Sequence, residues 1–203
     1  MNAPVFLCDD EGMAEAATTI GHFPSTGFGV GLDMSAAVTH NTAVLGILGI
    51  GKSYLAIELV ERMIADGIKV ICLDLTNQYA QLLAEFSDPA HEDVLREALE
   101  AAGQGGAANQ NQEQGGSHLR FRQRVTEQLR EFLNPAEPRY LRVLNPAQFT
   151  VTRQAGGMFQ GNANMATLTP TEITAIISDA ALVVSQELGM TDRGRVCLVY
   201  EEA

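Results

Sequence analysis

No apolar run in this chain approaches the roughly eighteen residues that a membrane-crossing helix needs, and no basic-then-apolar leader follows Met1. Neither a bilayer span nor a secretory signal is expected, and the cytoplasm is the expected compartment. Cysteine is scarce: Cys8, Cys72 and Cys197 form an odd set without metal-type spacing. The last two lie inside apolar, strand-like runs, which predicts buried reduced thiols rather than a disulfide or a metal centre. Positive charge is scarce too, with 13 Lys and Arg against 25 Asp and Glu and a net charge of −12. Adhesion to nucleic acid needs Lys and Arg for phosphate contacts, so this balance argues against a simple DNA-binding module. What is present is a 203-residue chain with 46% hydrophobic residues, which suits one globular domain of ordinary size.

Within it, Gly46-Ile47-Leu48-Gly49-Ile50-Gly51-Lys52-Ser53 meets every fixed position of G-x-x-x-x-G-K-[ST]. The context is that of a phosphate-binding loop. Ala43-Val44-Leu45 reads as the strand entering it. Tyr54 to Asp66 reads as the helix leaving it, with Leu55, Ile57, Leu59, Val60, Met63 and Ile64 at helical spacing and Gly67 as the stop. The glycines let backbone N–H groups converge on polyphosphate oxygens, and the helix that begins near Lys52 adds its orphan N–H groups and the positive end of its dipole. A nucleoside triphosphate is therefore the expected ligand. Gly46, Ile47, Leu48, Gly49, Ile50, Gly51, Lys52, Ser53 and Tyr54 are the candidate contacts. In a loop of this type Lys52 bridges the β- and γ-phosphates and the Ser53 hydroxyl binds Mg²⁺.

Along the chain, residues 1–40 carry many glycines and short apolar pieces, suggesting an irregular or β-hairpin lead-in to a core spanning 41–203. Val70-Ile71-Cys72-Leu73 closes on Asp74, as expected of a strand buried on both faces of a parallel sheet. Residues 78–102 look helical, broken at Asp88-Pro89. The Gln- and Gly-rich stretch 103–117 has too little apolar surface to offset the entropy of ordering and reads as a mobile insertion. Beyond it, Phe121, Val125, Leu129 and Phe132 share one helix face, while Arg120, Arg122, Arg124 and Arg130 form the chain's positive cluster. A solvated helix surface accounts for that cluster; a nucleic-acid or subunit contact is the alternative. Tyr140 to Leu144 reads as a strand. Thr169-Pro170-Thr171-Glu172 is a capping box that opens a helix ending at Gly189, and Val196 to Tyr200 is a final buried-strand run before Glu201-Glu202-Ala203.

A phosphate-binding loop needs a second strand to deliver an acid to Mg²⁺. Asp74 and the pair Glu201 and Glu202 both stand at strand ends. Asp74 would fit a kinase or GTPase arrangement. The terminal pair is favoured, because consecutive acids on a strand point to opposite sides and can address the metal and the attacking water separately.

The approach His40-Asn41-Thr42-Ala43-Val44-Leu45-Gly46, the run Gly67-Ile68-Lys69-Val70-Ile71-Cys72-Leu73-Asp74-Leu75-Thr76-Asn77-Gln78-Tyr79 and the ending Leu198-Val199-Tyr200-Glu201-Glu202-Ala203 resemble the central ATPase domain of the HerA helicase family, in the HerA/FtsK branch of P-loop motors. The resemblance covers roughly residues 20–203, with the Gln-rich insertion unmatched; the Asp-x-x-x-Gln-Tyr strand end and the Glu-Glu-Ala ending narrow it. It implies an α/β P-loop NTPase fold with a RecA-like, mostly parallel sheet flanked by helices, incomplete at the C-terminus. It further implies ATP and Mg²⁺ as cofactors, a homo-hexamer moving on DNA, and a partner nuclease. Gly46, Gly49, Gly51, Lys52 and Ser53 would hold the triphosphate, Ser53 and Glu201 would serve the metal, and Glu202 would be the base, with Lys52 also catalytic. The family usually has a small polar residue where Ile50 stands and Asp where Glu201 stands. It also continues past the point corresponding to Ala203 into a sensor strand and an arginine finger, so weak hydrolysis is expected of these residues alone. Two other functions compete: a small-molecule phosphotransferase using Asp74, with Arg120, Arg122 and Arg124 as lid arginines, and a nucleotide-binding assembly subunit without turnover.

Overall fold

The computed structural model describes residues 19–22, 25, 29–47, 49–104, 117–154 and 165–201. At its centre lies a parallel three-stranded sheet. β3 (Lys69–Asp74) runs between β4 (Leu141–Leu144) and β7 (Val196–Glu201). Val70 faces Leu141 on one side and Cys197 on the other, and the register with β7 continues to Asp74 opposite Glu201. All six residues of β3 are buried, as a continuous Val-Ile-Cys-Leu run between two covering layers requires.

Side-chain alternation along the strands sorts the core into two faces. Ile71, Leu73, Leu144, Val196 and Leu198 point toward α5 (Ser117–Phe132) and α6 (Pro170–Glu187), whose Phe121, Val125, Leu129, Ile173 and Ile177 pack there. Val70, Cys72, Leu141, Cys197 and Val199 point the other way, toward Ile57, Leu59, Val60 and Met63 of α2 (Lys52–Ala65) and Tyr79 of α3 (Gln78–Leu82). The fold is thus α/β with helices on both faces of a parallel sheet, compatible with a P-loop NTPase, and the period of two explains why the middle of β3 is apolar at successive positions.

Local signals account for the helix ends. Thr169 and Glu172 form the expected reciprocal capping box at the start of α6. At the end of α2, Gly67 takes φ +72°, while its N–H reaches the Ile64 carbonyl at 3.0 Å and the Ile68 N–H reaches that of Met63 at 2.8 Å. This Schellman pair satisfies carbonyls the helix leaves open. Before the core, β1 (Thr19–His22) pairs antiparallel with β2 (Gly29–Gly31), and a short helix α1 (Met34–Ala37) follows.

Two expectations need correction. Ala43-Val44-Leu45 is not a strand: residues 41–47 have no strand pairing, and Leu45 is 88% exposed. A strand is defined by its ladder, and among the described residues none pairs with this stretch, which lines a cleft of about 760 Å³ together with β7. Three residues at the ends of the expected 103–117 insertion are helical. Gly103 and Gln104 still belong to α4 (Pro89–Gln104), and Ser117 already belongs to α5. Gly103 is buried against the chain: a Cβ there would stand 2.9 Å from the Thr150 carbonyl oxygen, which explains a glycine inside a helix. Residues 105–116 lie outside the described residues. A short antiparallel pair, β5 (Thr152–Gln154) with β6 (Met165–Thr167), completes the fold before α6.

Candidate nucleotide site

The loop before α2 is shaped by its glycines. Gly49 has φ +81° and Gly51 φ +95°, a region where a Cβ is strained, and Gly51 is the residue from which α2 springs. Gly46 answers to space instead, since a Cβ there would come within 2.7 Å of Ile50 Cγ2 and crowd the Lys52 stem. No side chain caps α2, so its first N–H groups face the loop. Lys52, the first residue of α2, arches back over the loop and donates to the carbonyls of Gly46 at 2.9 Å and Ile47 at 3.3 Å. Ile47, Ile50 and Tyr54 are all well exposed. Leu48 lies outside the described residues.

The remaining question was which acid stands beside Ser53. The Ser53 hydroxyl donates to Glu201 Oε1 at 3.3 Å. Asp74, although adjacent to Glu201 in the sheet, has another use. Its Oδ1 accepts from the Thr76 N–H at 2.8 Å and the Thr76 hydroxyl at 2.7 Å, and its Oδ2 accepts from the Tyr79 N–H at 2.8 Å. Asn77, which precedes α3, adopts φ +60° and caps nothing with its own side chain, so Asp74 supplies the cap from upstream. Asp74 is fully buried, and these partners, two backbone N–H groups and the Thr76 hydroxyl, are those of a strand-end turn. The lid arginines of a phosphotransferase are misplaced as well, because α5 packs on the sheet face opposite α2. Arg124 pairs there with Glu127, and Arg130 with Glu187.

The composition of the site suits a triphosphate with Mg²⁺. Magnesium is held by one or two carboxylates together with phosphate oxygens and water rather than by an all-protein cage. Among the described residues, no group of three His, Cys, Asp or Glu side chains could hold a metal by itself. A hydroxyl and a carboxylate 3.3 Å apart beside a glycine cradle match that donor set. Glu202, the expected base, lies outside the described residues.

One contributor had no role assigned to it from sequence. The Tyr79 hydroxyl donates to Glu201 Oε2 at 2.7 Å, across 122 positions of chain. Its signal was the Tyr of the Asp-x-x-x-Gln-Tyr run, but nothing local says that it reaches a strand 122 residues away. Two free thiols, Cys72 and Cys197, lie behind the site. Burial is the main cause that pushes Cys72 well above the usual thiol range and Cys197 up to about 11.

The model of the family described as Helicase HerA, central domain, matches residues 18–94. The match spans the loop, α2, β3 and α3, and it ends within α4, before β7. Over these residues the chain is similar to a HerA central domain, a similarity that suggests a P-loop ATPase in general character. No curated protein and no solved structure matches the chain. Among the described residues, no helix is long and apolar enough to cross a membrane.

Proposed function

We propose that this chain is the ATP-binding and ATP-hydrolysing motor domain of a HerA-like DNA helicase or translocase, working in the cytoplasm as a subunit of a homo-hexamer with a partner nuclease. The observation that carries the reading is the approach of Ser53 to Glu201 beside the Lys52 loop, which joins a phosphate cradle to a metal-side acid from a strand 148 positions away. Backbone N–H groups of Gly49 to Ser53 bind the β- and γ-phosphates. Lys52 exchanges its loop carbonyls for phosphate oxygens, adding a full charge where negative charge develops. Ser53 and Glu201 are the residues that would hold Mg²⁺, which when bound would supply charge neutralisation for the phosphates. Glu202 takes the proton from the attacking water. With a net charge of −12, DNA contacts are confined to a basic channel of the assembly rather than spread over the surface.

The experiment is a titration of the folded protein with a fluorescent ATP analogue, followed by phosphate release with and without duplex DNA. Binding that survives in Glu202→Gln while release stops is the expected result. A folded sample that does not bind the analogue ends the nucleotide reading. Turnover untouched by Glu202→Gln removes the base, and turnover indifferent to DNA removes the motor.

A further inference from the structure

We propose that Tyr79 is a positioning residue for the metal-side carboxylate: its phenol O–H fixes Glu201 so that one carboxylate oxygen stays turned toward Ser53. The inference rests on the nucleotide-site reading given above. Glutamate carries one more rotatable bond than aspartate, so a glutamate that must meet an ion in one orientation loses more freedom in doing so. Tyr79 removes that freedom beforehand. Its hydroxyl holds Oε2 at 2.7 Å, leaving Oε1 to face the Ser53 hydroxyl at 3.3 Å.

Tyr79 is itself held at three points. Its N–H is tied to Asp74 Oδ2 at 2.8 Å, its ring is 1% exposed within the core between α2 and the sheet, and its hydroxyl meets Glu201. The end of β3 therefore anchors the residue that orients the end of β7. Outer-shell partners of this kind typically contribute about 10–100-fold to metal affinity.

The test compares nucleotide affinity with Mn²⁺ and in EDTA, using the full chain and a non-hydrolysable ATP analogue. Tyr79→Phe is expected to leave the EDTA affinity within about twofold and to lower the Mn²⁺-to-EDTA affinity ratio by about tenfold or more. A folded Tyr79→Phe protein with an unchanged ratio overturns the proposal. If Ser53→Ala lowers the ratio in that same case, the nucleotide site stands and only the tyrosine's role falls. A wild-type ratio near one removes both. Should Tyr79→Phe fail to fold, the wild-type chain labelled with 3-fluorotyrosine decides. It has four tyrosines, and Tyr79 is the buried one, against exposures of 80%, 37% and 56% for Tyr54, Tyr140 and Tyr200. The buried fluorine signal is expected to move when Mg²⁺ joins the nucleotide and not with nucleotide alone; a signal that ignores the ion overturns the proposal.

Discussion

Two strand ends lie side by side in this sheet, Asp74 on β3 and Glu201 on β7, in register and at the same edge of the site. Asp74 is surrounded by donors it cannot lose, two backbone N–H groups and a neighbouring hydroxyl. Among the described residues, Glu201 accepts hydrogen bonds from two side-chain hydroxyls, those of Ser53 and Tyr79. Backbone donors tie a carboxylate to the fold, whereas hydroxyl partners can turn or be exchanged for an ion. Equivalent positions in a sheet thus carry acids with different kinds of partner, and what separates them is which side chains and loops arrive at each.

The contrast is broken most strongly at Glu201. Glu201→Ala is expected to lower Mg²⁺-dependent turnover by about 10²–10³, the usual scale for removing one preorganised electrostatic contact, while the melting temperature stays near that of the wild type. Steady-state phosphate release and thermal unfolding on the same sample check this. Asp74→Ala is expected to do the reverse, lowering stability by about 3 kcal/mol as the Thr76 and Tyr79 N–H groups lose their partner. Urea unfolding measures the loss, and metal-free nucleotide affinity of the folded fraction should change little. If Asp74→Ala instead abolished turnover without loss of stability, the assignment of the two acids would be inverted.

A smaller effect sharpens the comparison at the opposite end of the sheet. There the buried Lys69 donates to the carbonyls of Glu137 and Arg139 at 2.8 Å each and sits over the rings of Phe132 and Tyr140. Arg139, which grips both Glu137 oxygens at 2.5 and 2.9 Å, holds the Glu137 carboxyl at about 2, below its ordinary 4.5. A carboxylate lowered on folding stabilises the native state above its unfolded value, and that contribution fades as pH falls from near 4.5 toward 2. Glu137→Gln should therefore flatten the acid limb of the stability curve in that window and leave neutral-pH turnover unchanged, as an acid titration followed by circular dichroism would record.

Much of the fold was legible because its signals are local. The Val70–Leu73 run, the Thr169–Glu172 capping box and the Gly67 stop each encode an element within a few residues, and each appears in the structure at most a residue or two from its expected bounds. Pairing was less legible. Ala43-Val44-Leu45 has a strand's composition, yet the ladder that would make it one depends on a neighbour across the cleft. At the site, the motif led to Lys52 and Ser53, and the strand end led to Glu201. Tyr79 stayed without a role because its partner is distant in sequence.

By itself the sequence determined the glycine loop, since glycine at 49 and 51 is what positive φ demands, and it determined the two-faced central strand, since the continuous apolar run Val70–Leu73 requires cover on both sides. Only the tertiary structure gave the two acids different surroundings. Asp74 and Glu201 are alike as strand-end carboxylates, and the donors that tell them apart arrive through three-dimensional packing: the turn into α3 at one, Ser53 and Tyr79 at the other.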